Sequence, residues 1–201
     1  MNKRQLIRIN TIYEKLQSKH SFSERVAWDD TVRQYLRFSE IKSFIGDLSG
    51  SILDVGCGNA EFLQFLKGTG FEGSYSGIDV NQKLLEEAKK RFPKANFKKK
   101  DISNIKDCKY DYVVASGIFN FDYGQDIKLV KKKCAKMYSL ARRKAIFNGI
   151  CNQVTRRDKG FFYIDQWEIC RWFEKELGCM VEIRSGFVKF NFTISMSRTI
   201  S

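Results

Sequence analysis

The sequence contains no run of eighteen apolar residues, so we expect no membrane-spanning segment. Its N-terminus, Met1–Gln5, is charged and is not followed by the apolar run of a secretory signal peptide. None of the six cysteines forms a Cys-x-x-Cys pair, which argues against a metal centre or a disulfide framework. We therefore expect a cytoplasmic protein with reduced thiols and no bound metal.

Acidic residues are scarce relative to basic ones. The 201 residues include 36 lysines and arginines against 23 aspartates and glutamates, which gives a formal net charge of +13. Such a field attracts nucleic acid, phosphorylated small molecules or acidic surfaces. Dispersed runs such as Lys98–Lys100 and Lys131–Lys133 are, however, also typical of solvated surfaces. At 43% hydrophobic residues, the chain can bury the core of one globular domain.

From Ser51 onward, short apolar segments alternate with segments of helical periodicity, which is typical of a parallel sheet covered on both faces. The last two strands are joined through Ser185-Gly186, too short for a crossover helix, so they should pair antiparallel. We predict an α/β fold with a seven-stranded, mostly parallel sheet, a terminal antiparallel hairpin and helices on both faces. The predicted strands are 51–55, 74–79, 95–99, 110–115, 144–150, 180–185 and 189–197. The predicted helices are 3–17, 30–46, 60–67, 81–91, 125–140 and 165–177.

The most informative segment places two glycines one residue apart after a strand. Gly56-Cys57-Gly58 leads into a helix, and Asp79 ends the next strand 21 residues after Gly58. Glycines allow a sharp turn and a close approach to a ligand, and an acid at this spacing suits ribose hydroxyls. The pattern therefore predicts a nucleoside site. Glu61 occupies the position of the third glycine of a dinucleotide fingerprint, and its carboxylate would repel a pyrophosphate.

The segment Ile52–Ala60 resembles the first motif of class I S-adenosylmethionine (SAM)-dependent methyltransferases. The resemblance continues through Gly77–Val80, Lys100–Ile102 and Tyr110–Gly117. It departs from the family at Ala60, where glycine is common, although the added methyl should leave the loop intact. The resemblance covers about residues 50 to 200.

This resemblance implies a Rossmann-like fold, SAM as the cofactor, and transfer of its methyl group. It also implies one domain over residues 1–201. In that domain, residues 1–48 form an N-terminal helical cap, or lid, over a SAM-binding core of residues 49–201.

The resemblance further implies which residues bind the cofactor. Asp54 would steady the glycine loop or the SAM amino group, and Arg37 could pair with the SAM carboxylate through its guanidinium fork. Asp79 would accept hydrogen bonds from the ribose and Asp101 from the adenine amino group. The alternatives are a strand-end turn for Asp79 and a helix cap for Asp101. The predicted cofactor set is Asp54, Gly56, Cys57, Gly58, Asp79, Val80, Asp101, Ile102, Ser116 and Arg37.

His20 is the only histidine and the only catalytic candidate. Its ordinary pKa range would suit a general base that removes a proton from an acceptor oxygen. An exposed surface position is the alternative, because His20 lies in a polar stretch. Methyl transfer does not always need a base, since alignment of the acceptor, methyl and sulfonium in a dry pocket can supply most of the acceleration.

Basic residues follow the fifth predicted strand, at the edge of the sheet that faces the acceptor in this fold. Arg156 and Arg157 there would select a phosphate or carboxylate, whereas packing is an equal alternative for the nearby aromatic residues. The predicted substrate-binding residues are Tyr13, Trp28, Arg33, Asn120, Tyr123, Arg156 and Arg157.

One motif of resembling enzymes is absent. The Asn/Asp-Pro-Pro-aromatic sequence used on exocyclic amino groups is replaced by Ser116–Asn120. We therefore predict O-methylation of a small anionic metabolite, phosphorylated or sugar-derived, in polysaccharide or small-molecule biosynthesis. Two alternatives stay open. The basic charge would suit an RNA methyltransferase, whose binding should weaken steeply with salt, and the fold could bind SAM or a partner protein without catalysis.

Overall fold

A computed structural model describes residues 1–16, 31–106 and 109–199, with the backbone alone for residues 13–16. The α-helices are α1 Lys3–Leu16, α2 Thr31–Phe44, α3 Glu61–Lys67, α4 Gln82–Arg91, α5 Ile127–Leu140 and α6 Gln166–Leu177. The strands are β1 Ile52–Val55, β2 Tyr75–Asp79, β3 Asn96–Lys99, β4 Tyr110–Ala115, β5 Ala141–Cys151, β6 Tyr163–Ile164, β7 Cys179–Ser185 and β8 Asn191–Arg198. Within these ranges, no helix combines the length and apolarity needed to cross a membrane.

The strands form one sheet in the order β3-β2-β1-β4-β5-β8-β7. Strands β1 to β5 pair parallel, and β8 runs antiparallel to both β5 and β7. The predicted mixed sheet with its terminal antiparallel hairpin is therefore confirmed. The chain moves outward from β1 to β3 and then returns to β4, which opens a crevice at the carboxyl ends of β1 and β4.

The predicted number of seven strands was wrong by one. The short β6 pairs parallel with the end of β5, through Ile150 with Tyr163 and Cys151 with Ile164. A two-residue strand carries no readable alternation of apolar and polar residues, which is why the sequence pattern missed it. Its position matters because it fixes the long segment after β5 beside the carboxyl edge of the sheet.

The core lies on both faces of the sheet because successive strand residues point in opposite directions. Ile52 packs with α2, α3 and α4 on one face, and its neighbour Leu53 packs with α5 and α6 on the other. Val114 and Val113 of β4 divide in the same way. Full burial of a residue such as Leu53 contributes about 2 kcal/mol to folding.

Side-chain caps fix where several helices begin. The Asn81 side chain accepts hydrogen bonds from the backbone N–H groups of Lys83 and Leu84, directly after β2. Asp126 caps α5 and Asp165 caps α6 in the same manner. These caps satisfy backbone donors that have no partner inside the helix, and they hold each helix start next to the strand that precedes it.

Candidate functional site

The glycine loop follows β1 directly and is held against β2. The backbone N–H groups of Gly56 and Cys57 both donate to the Ile78 carbonyl, at 2.7 and 3.1 Å. Gly56 has a φ of +75°, and a Cβ added there would overlap the Ile118 side chain. Only glycine fits this position without strain. The loop therefore presents bare backbone to the crevice.

Ala60, where the sequence departs from the family motif, also lies in the left-handed region, with a φ of +68°. An L-residue in this conformation costs about 1–2 kcal/mol relative to the right-handed region. The conformation explains why glycine is common at this position. Ala60 therefore adopts the left-handed conformation of the loop despite this strain, and α3 begins at the next residue, Glu61.

Asp79 joins the end of β2 to the glycine loop. Its Oδ2 accepts from the Gly58 N–H at 2.9 Å, and its Oδ1 accepts from the Asn81 N–H at 2.8 Å. Burial raises the pKa of Asp79 above its usual range, while these backbone hydrogen bonds oppose the shift. Each carboxylate oxygen has a second lone pair, so Asp79 can hold the loop and still accept from a ligand hydroxyl.

Asp54 is the second buried carboxyl group of the site. Its Oδ2 accepts a hydrogen bond from the Tyr75 hydroxyl on β2. Burial raises the pKa of Asp54 to about 7; the Tyr75 hydrogen bond opposes this shift and the charge of Asp79 adds to it. A positive ligand group beside Asp54 would favour the ionised carboxylate.

Two cavities meet at Gly56, which lines both. The space in the first cavity amounts to about 520 Å³ and that in the second to about 490 Å³, in both cases including space that is open to solvent. The first is lined by Gln34, Phe38, Asp54, Gly56, Cys57, Gly58, Asn59, Glu61, Phe62, Ser116, Gly117, Asn120 and Phe121. The second is lined by Met1, Ile9, Val55, Gly56, Asp79, Val80, Lys100, Asp101, Ile102, Ile118, Tyr123 and Lys133. Together they form one crevice across the loop.

Buried oxygen atoms in this crevice lack donors among the described residues. They are Gln34 Oε1 and Asn120 Oδ1 in the first cavity and Asp101 Oδ2 in the second. Asp101 Oδ2 accepts no hydrogen bond from the described residues, although the Met1 amino group and Lys133 Nζ lie 3.7 and 3.8 Å from it. A buried acceptor without a donor costs about 1–3 kcal/mol. The crevice therefore fits a ligand that brings N–H or O–H donors to both ends, as an amino acid ammonium and an adenine amino group would.

Lys133 of α5 lies behind Asp101. Its Nζ is 3.8 Å from Asp101 Oδ2 and 5.9 Å from the centre of the Tyr123 ring. Burial lowers the pKa of Lys133 despite the nearby Asp101. Burial alone would raise the pKa of Asp101, but the Lys133 ammonium and hydrogen bonds from Ser103 outweigh it, so the pKa is lowered and the carboxylate stays ionised.

A third hollow, which we name the groove, opens beside the first cavity and has a volume of about 940 Å³. It lies between α2, the segment after β5 and the turn between β7 and β8. Its lining residues are Arg33, Leu36, Arg37, Ile150, Val154, Arg156, Asp158, Phe161, Tyr163 and Phe187 to Asn191. Phe161 stacks on Phe121 of the first cavity with 5.5 Å between ring centres, so a single pair of rings separates the two spaces.

Nine of the ten predicted cofactor residues lie in the crevice. Arg37 is the exception: its Nε donates to Asn191 Oδ1 at 2.8 Å, and its side chain lines the groove. The same helix turns Gln34 and Phe38 towards the first cavity, and the pairing of Arg37 with the SAM carboxylate stays a prediction. The structure also shows Asp101 capping the turn Ile102–Asn104 through Oδ1, so the cap and an acceptor role for Oδ2 are compatible.

The predicted substrate residues separate into several places. Arg33 and Arg156 line the groove, whereas Arg157 lies over the Tyr163 ring at 5.5 Å. Asn120 lines the first cavity. Tyr123 lines the second cavity, and its predicted contact with the acceptor stays a prediction.

Three predictions fall where the structure gives no side chain. His20 and Trp28 lie outside the described residues, and Tyr13 is described by its backbone alone, within α1. Their predicted roles stay predictions.

Sequence reasoning missed Gln34 and Lys133. Gln34 belongs to the amphipathic pattern of α2, four residues before Phe38, and both are buried. Lys133 lies three residues after Val130 and four before Met137 on the buried face of α5. In both helices, a polar residue at a position where the helical pattern predicts an apolar one could have indicated a site residue. Lys133 did not stand out because it belongs to the run Lys131–Lys133.

A family model described as a methyltransferase domain matches residues 52–145. Two curated proteins named as methyltransferases match over shorter stretches. The one from Mycobacterium tuberculosis is 44% identical over 71 residues, which are 35% of this chain and 42% of that protein. The one from Invertebrate iridescent virus 6 is 34% identical over 79 residues, 37% of this chain and 30% of that protein. Each match thus spans less than half of the relative's own length.

Solved structures match over nearly the whole chain at low identity. Magnesium protoporphyrin IX methyltransferase from Synechocystis PCC 6803, with bound SAM, superposes with a TM-score of 0.72 and 16% identity over 99% of this chain and 98% of that one. A SAM-dependent methyltransferase from Clostridium acetobutylicum superposes with a TM-score of 0.64 and 14% identity, over 96% of this chain and 98% of that one. The complex of DhpI with S-adenosylhomocysteine (SAH) superposes with a TM-score of 0.73 and 11% identity, over 98% of both chains. The likeness therefore extends over the whole fold.

Proposed function

We propose that this chain, which matches a methyltransferase domain over residues 52–145 and has the fold of SAM-dependent methyltransferases, transfers the methyl group of SAM to an oxygen of a small anionic metabolite. The observation that carries the proposal is the crevice itself. Two cavities that meet at Gly56 are lined by buried oxygen atoms without a hydrogen-bond donor among the described residues, namely Gln34 Oε1 and Asn120 Oδ1 in the first cavity and Asp101 Oδ2 in the second. A nucleoside joined to an amino acid has the matching shape and donors.

Each end of the cofactor has candidate partners. We assign the methionine end to the first cavity, where Asp54 and Gln34 Oε1 would accept from its ammonium group. The ribose hydroxyls would donate to Asp79, and the adenine amino group to Asp101 Oδ2 in the second cavity. Bound SAM supplies an activated methyl group on a positively charged sulfur. Ser116 and Asn120 line the first cavity, and there they would orient the acceptor for in-line transfer.

The anionic character of the acceptor rests on the groove. Arg33, Arg156 and Lys189 line it, and Asp158 is the acidic residue among its lining residues. These cations support the proposal of a phosphorylated or sugar-derived acceptor that carries negative charge. The acceptor oxygen would then lie near Asn120, where the groove approaches the first cavity.

We also propose that residues 1–48 act as a lid on the core of residues 49–201. Ile9 of α1 lines the second cavity, and Gln34 and Phe38 of α2 line the first. The cofactor would therefore be enclosed by this segment on both sides of the glycine loop.

Calorimetric titration with SAM and SAH tests the assignment of the crevice. We expect Asp79→Ala to weaken binding about 10- to 100-fold, because it removes acceptors for the ribose and for the Gly58 N–H. Asp111→Ala is the matched control, since Asp111 accepts two hydrogen bonds from Ser51 at the opposite edge of the sheet. The control should lose stability but keep its SAM affinity. Equal affinity in the wild type and Asp79→Ala would refute the assignment.

A further inference from the structure

The groove has an apolar wall that a sugar phosphate would not need. Leu36 and Phe161 are each 37% exposed, and Phe187 is 61% exposed. These three are among only seven large hydrophobic residues that are exposed in the described part of the chain. Scattered single apolar residues are ordinary on a surface, whereas their concentration in one hollow marks a binding site.

The charged groups of the groove lie at the rim of this apolar wall. The Arg156 side chain is 89% exposed, with its Nε 3.7 Å from Asp158 Oδ1, and Lys189 is exposed in the turn between β7 and β8. Arg33 and Arg37 line the side formed by α2. With four cationic residues and one acidic residue, the rim has a net positive charge. The groove therefore offers an apolar surface next to a cationic one.

The turn that carries Phe187 is held in a strained conformation. Phe190 has a φ of +62°, which is uncommon for a bulky residue, and Gly186 has a φ of +100°. The Phe190 carbonyl accepts from the Cys151 N–H at 2.9 Å, which ties the turn to the end of β5. Strain of this kind persists where surrounding contacts impose it, and it is concentrated at ligand sites.

The groove leads to the place where methyl transfer is proposed. The Phe162 N–H donates to the Asn120 carbonyl at 2.8 Å, so the wall that bears Phe161 is fixed to the segment that bears Asn120. The stacked rings of Phe121 and Phe161 form the boundary between the groove and the first cavity. A molecule bound in the groove could therefore place one end beside Asn120.

We infer that the groove binds the non-reacting part of the acceptor, and that this acceptor is an amphipathic anion with an extended apolar or aromatic body and a negatively charged group. The apolar body lies on Phe161 and Phe187, and the anionic group lies at Arg156 and Lys189. This inference rests on the proposed function and narrows its substrate class from small anions in general to anions with an apolar body.

The test uses the intact chain saturated with SAH and two fluorescent probes of similar shape. One is the aromatic sulfonate 8-anilinonaphthalene-1-sulfonate, and the other is the neutral N-phenyl-1-naphthylamine. We expect Phe187→Ser to weaken both probes at least fivefold. Arg156→Ala combined with Lys189→Ala should weaken the sulfonate at least fivefold and leave the neutral probe within twofold.

Two control variants lie outside the groove. Trp167 is an exposed aromatic residue on α6 and Lys132 is an exposed lysine on α5, so Trp167→Ser and Lys132→Ala should leave both probes unchanged. The inference would be overturned if Phe187→Ser left the affinity for both probes unchanged. It would also be overturned if glucose 1-phosphate displaced the sulfonate as well as an aromatic carboxylate does. SAH affinity is measured in parallel. A protein that does not bind SAH would contradict the proposed function. A protein that binds SAH normally, but whose probe affinities do not change in the groove variants, would contradict only the inference.

Discussion

The crevice and the groove lie at the same edge of the sheet but differ in how they are built. In the crevice, Asp54 and Asp79 are almost fully buried and are held by hydrogen bonds from neighbouring strand ends. In the groove, Arg156 extends into solvent. Buried charges interact strongly and have shifted pKa values, whereas exposed charges are screened. We therefore propose that the buried, hydrogen-bonded crevice fixes the cofactor and that the open groove selects the acceptor.

The largest effect should follow from filling the space at Gly56. Gly56→Ala adds a Cβ that would overlap Ile118 and forces a φ of +75° on alanine. We expect SAM affinity to fall by more than about 100-fold, or about 3 kcal/mol, by the factor of ten per 1.4 kcal/mol. Isothermal titration measures this fall, while probe binding in the groove should change little.

Gly70→Ala is the control for backbone strain. Gly70 has a similar φ of +84° in the turn after α3, with no described atom within 4 Å of an added Cβ. This variant should lose about 1 kcal/mol of unfolding free energy and keep its SAM affinity. Normal SAM binding by a folded Gly56→Ala protein would show that the cofactor does not lie against the loop.

A smaller effect should appear as a pH dependence that only the crevice shows. Because burial raises the pKa of Asp54 to about 7 from an ordinary value of 3.8, folding favours its protonated form. The stability contributed by that proton is complete below pH 4 and is lost as the pH rises through 7. An ammonium group beside Asp54 needs the ionised form, so SAH affinity should rise about tenfold between pH 5.5 and 7.

Asp54→Asn provides the comparison for this pH profile. The variant has no carboxyl group to titrate at this position, so its SAH affinity should be lower but nearly constant over the same pH range. Calorimetry in buffers of different ionisation enthalpy should detect proton release on binding in the wild type alone. A wild-type profile as flat as that of Asp54→Asn would exclude Asp54 as the partner of the ammonium group.

The smallest effect concerns Lys133, which we propose as a positioning residue that acts through Asp101. Lys133→Met keeps most of the side-chain volume but removes the ammonium group that holds Asp101 ionised, so the pKa of Asp101 should rise. We expect SAM affinity to fall about fivefold, about 1 kcal/mol, with a greater loss at pH 5 than at pH 7. Lys132→Met is the matched control, since Lys132 is exposed on the same helix. A loss that does not depend on pH would assign Lys133 a packing role alone.

The sequence predicted the crevice better than the groove for a physical reason. Gly56, Gly58 and Asp79 lie at the ends of short strands, so their local pattern determines both the turn and the edge of the sheet where they meet. The reason that Asp54 faces Tyr75 is equally local, because β1 and β2 are adjacent parallel strands. The fold class followed from the same alternation of strands and helices.

The groove could not be predicted in this way. It joins α2, the segment after β5 and the turn before β8, which are far apart in sequence and share no motif. Phe187 could not be predicted as a site residue. Its position depends on the left-handed conformation of Phe190 in the same turn, which no local sequence pattern predicts. The residue type of Arg37 suits a carboxylate, but the packing of α2 decides that Gln34 and Phe38 face the first cavity and that Arg37 lines the groove.

A crystal structure of the protein with bound SAH tests the central claim most directly. We expect the homocysteine part in the first cavity beside Asp54, the ribose at Asp79, and adenine in the second cavity beside Asp101, with Gly56 against the sulfur-bearing chain. SAH bound in the groove, or a crevice closed by side chains in crystals grown with saturating SAH, would contradict it.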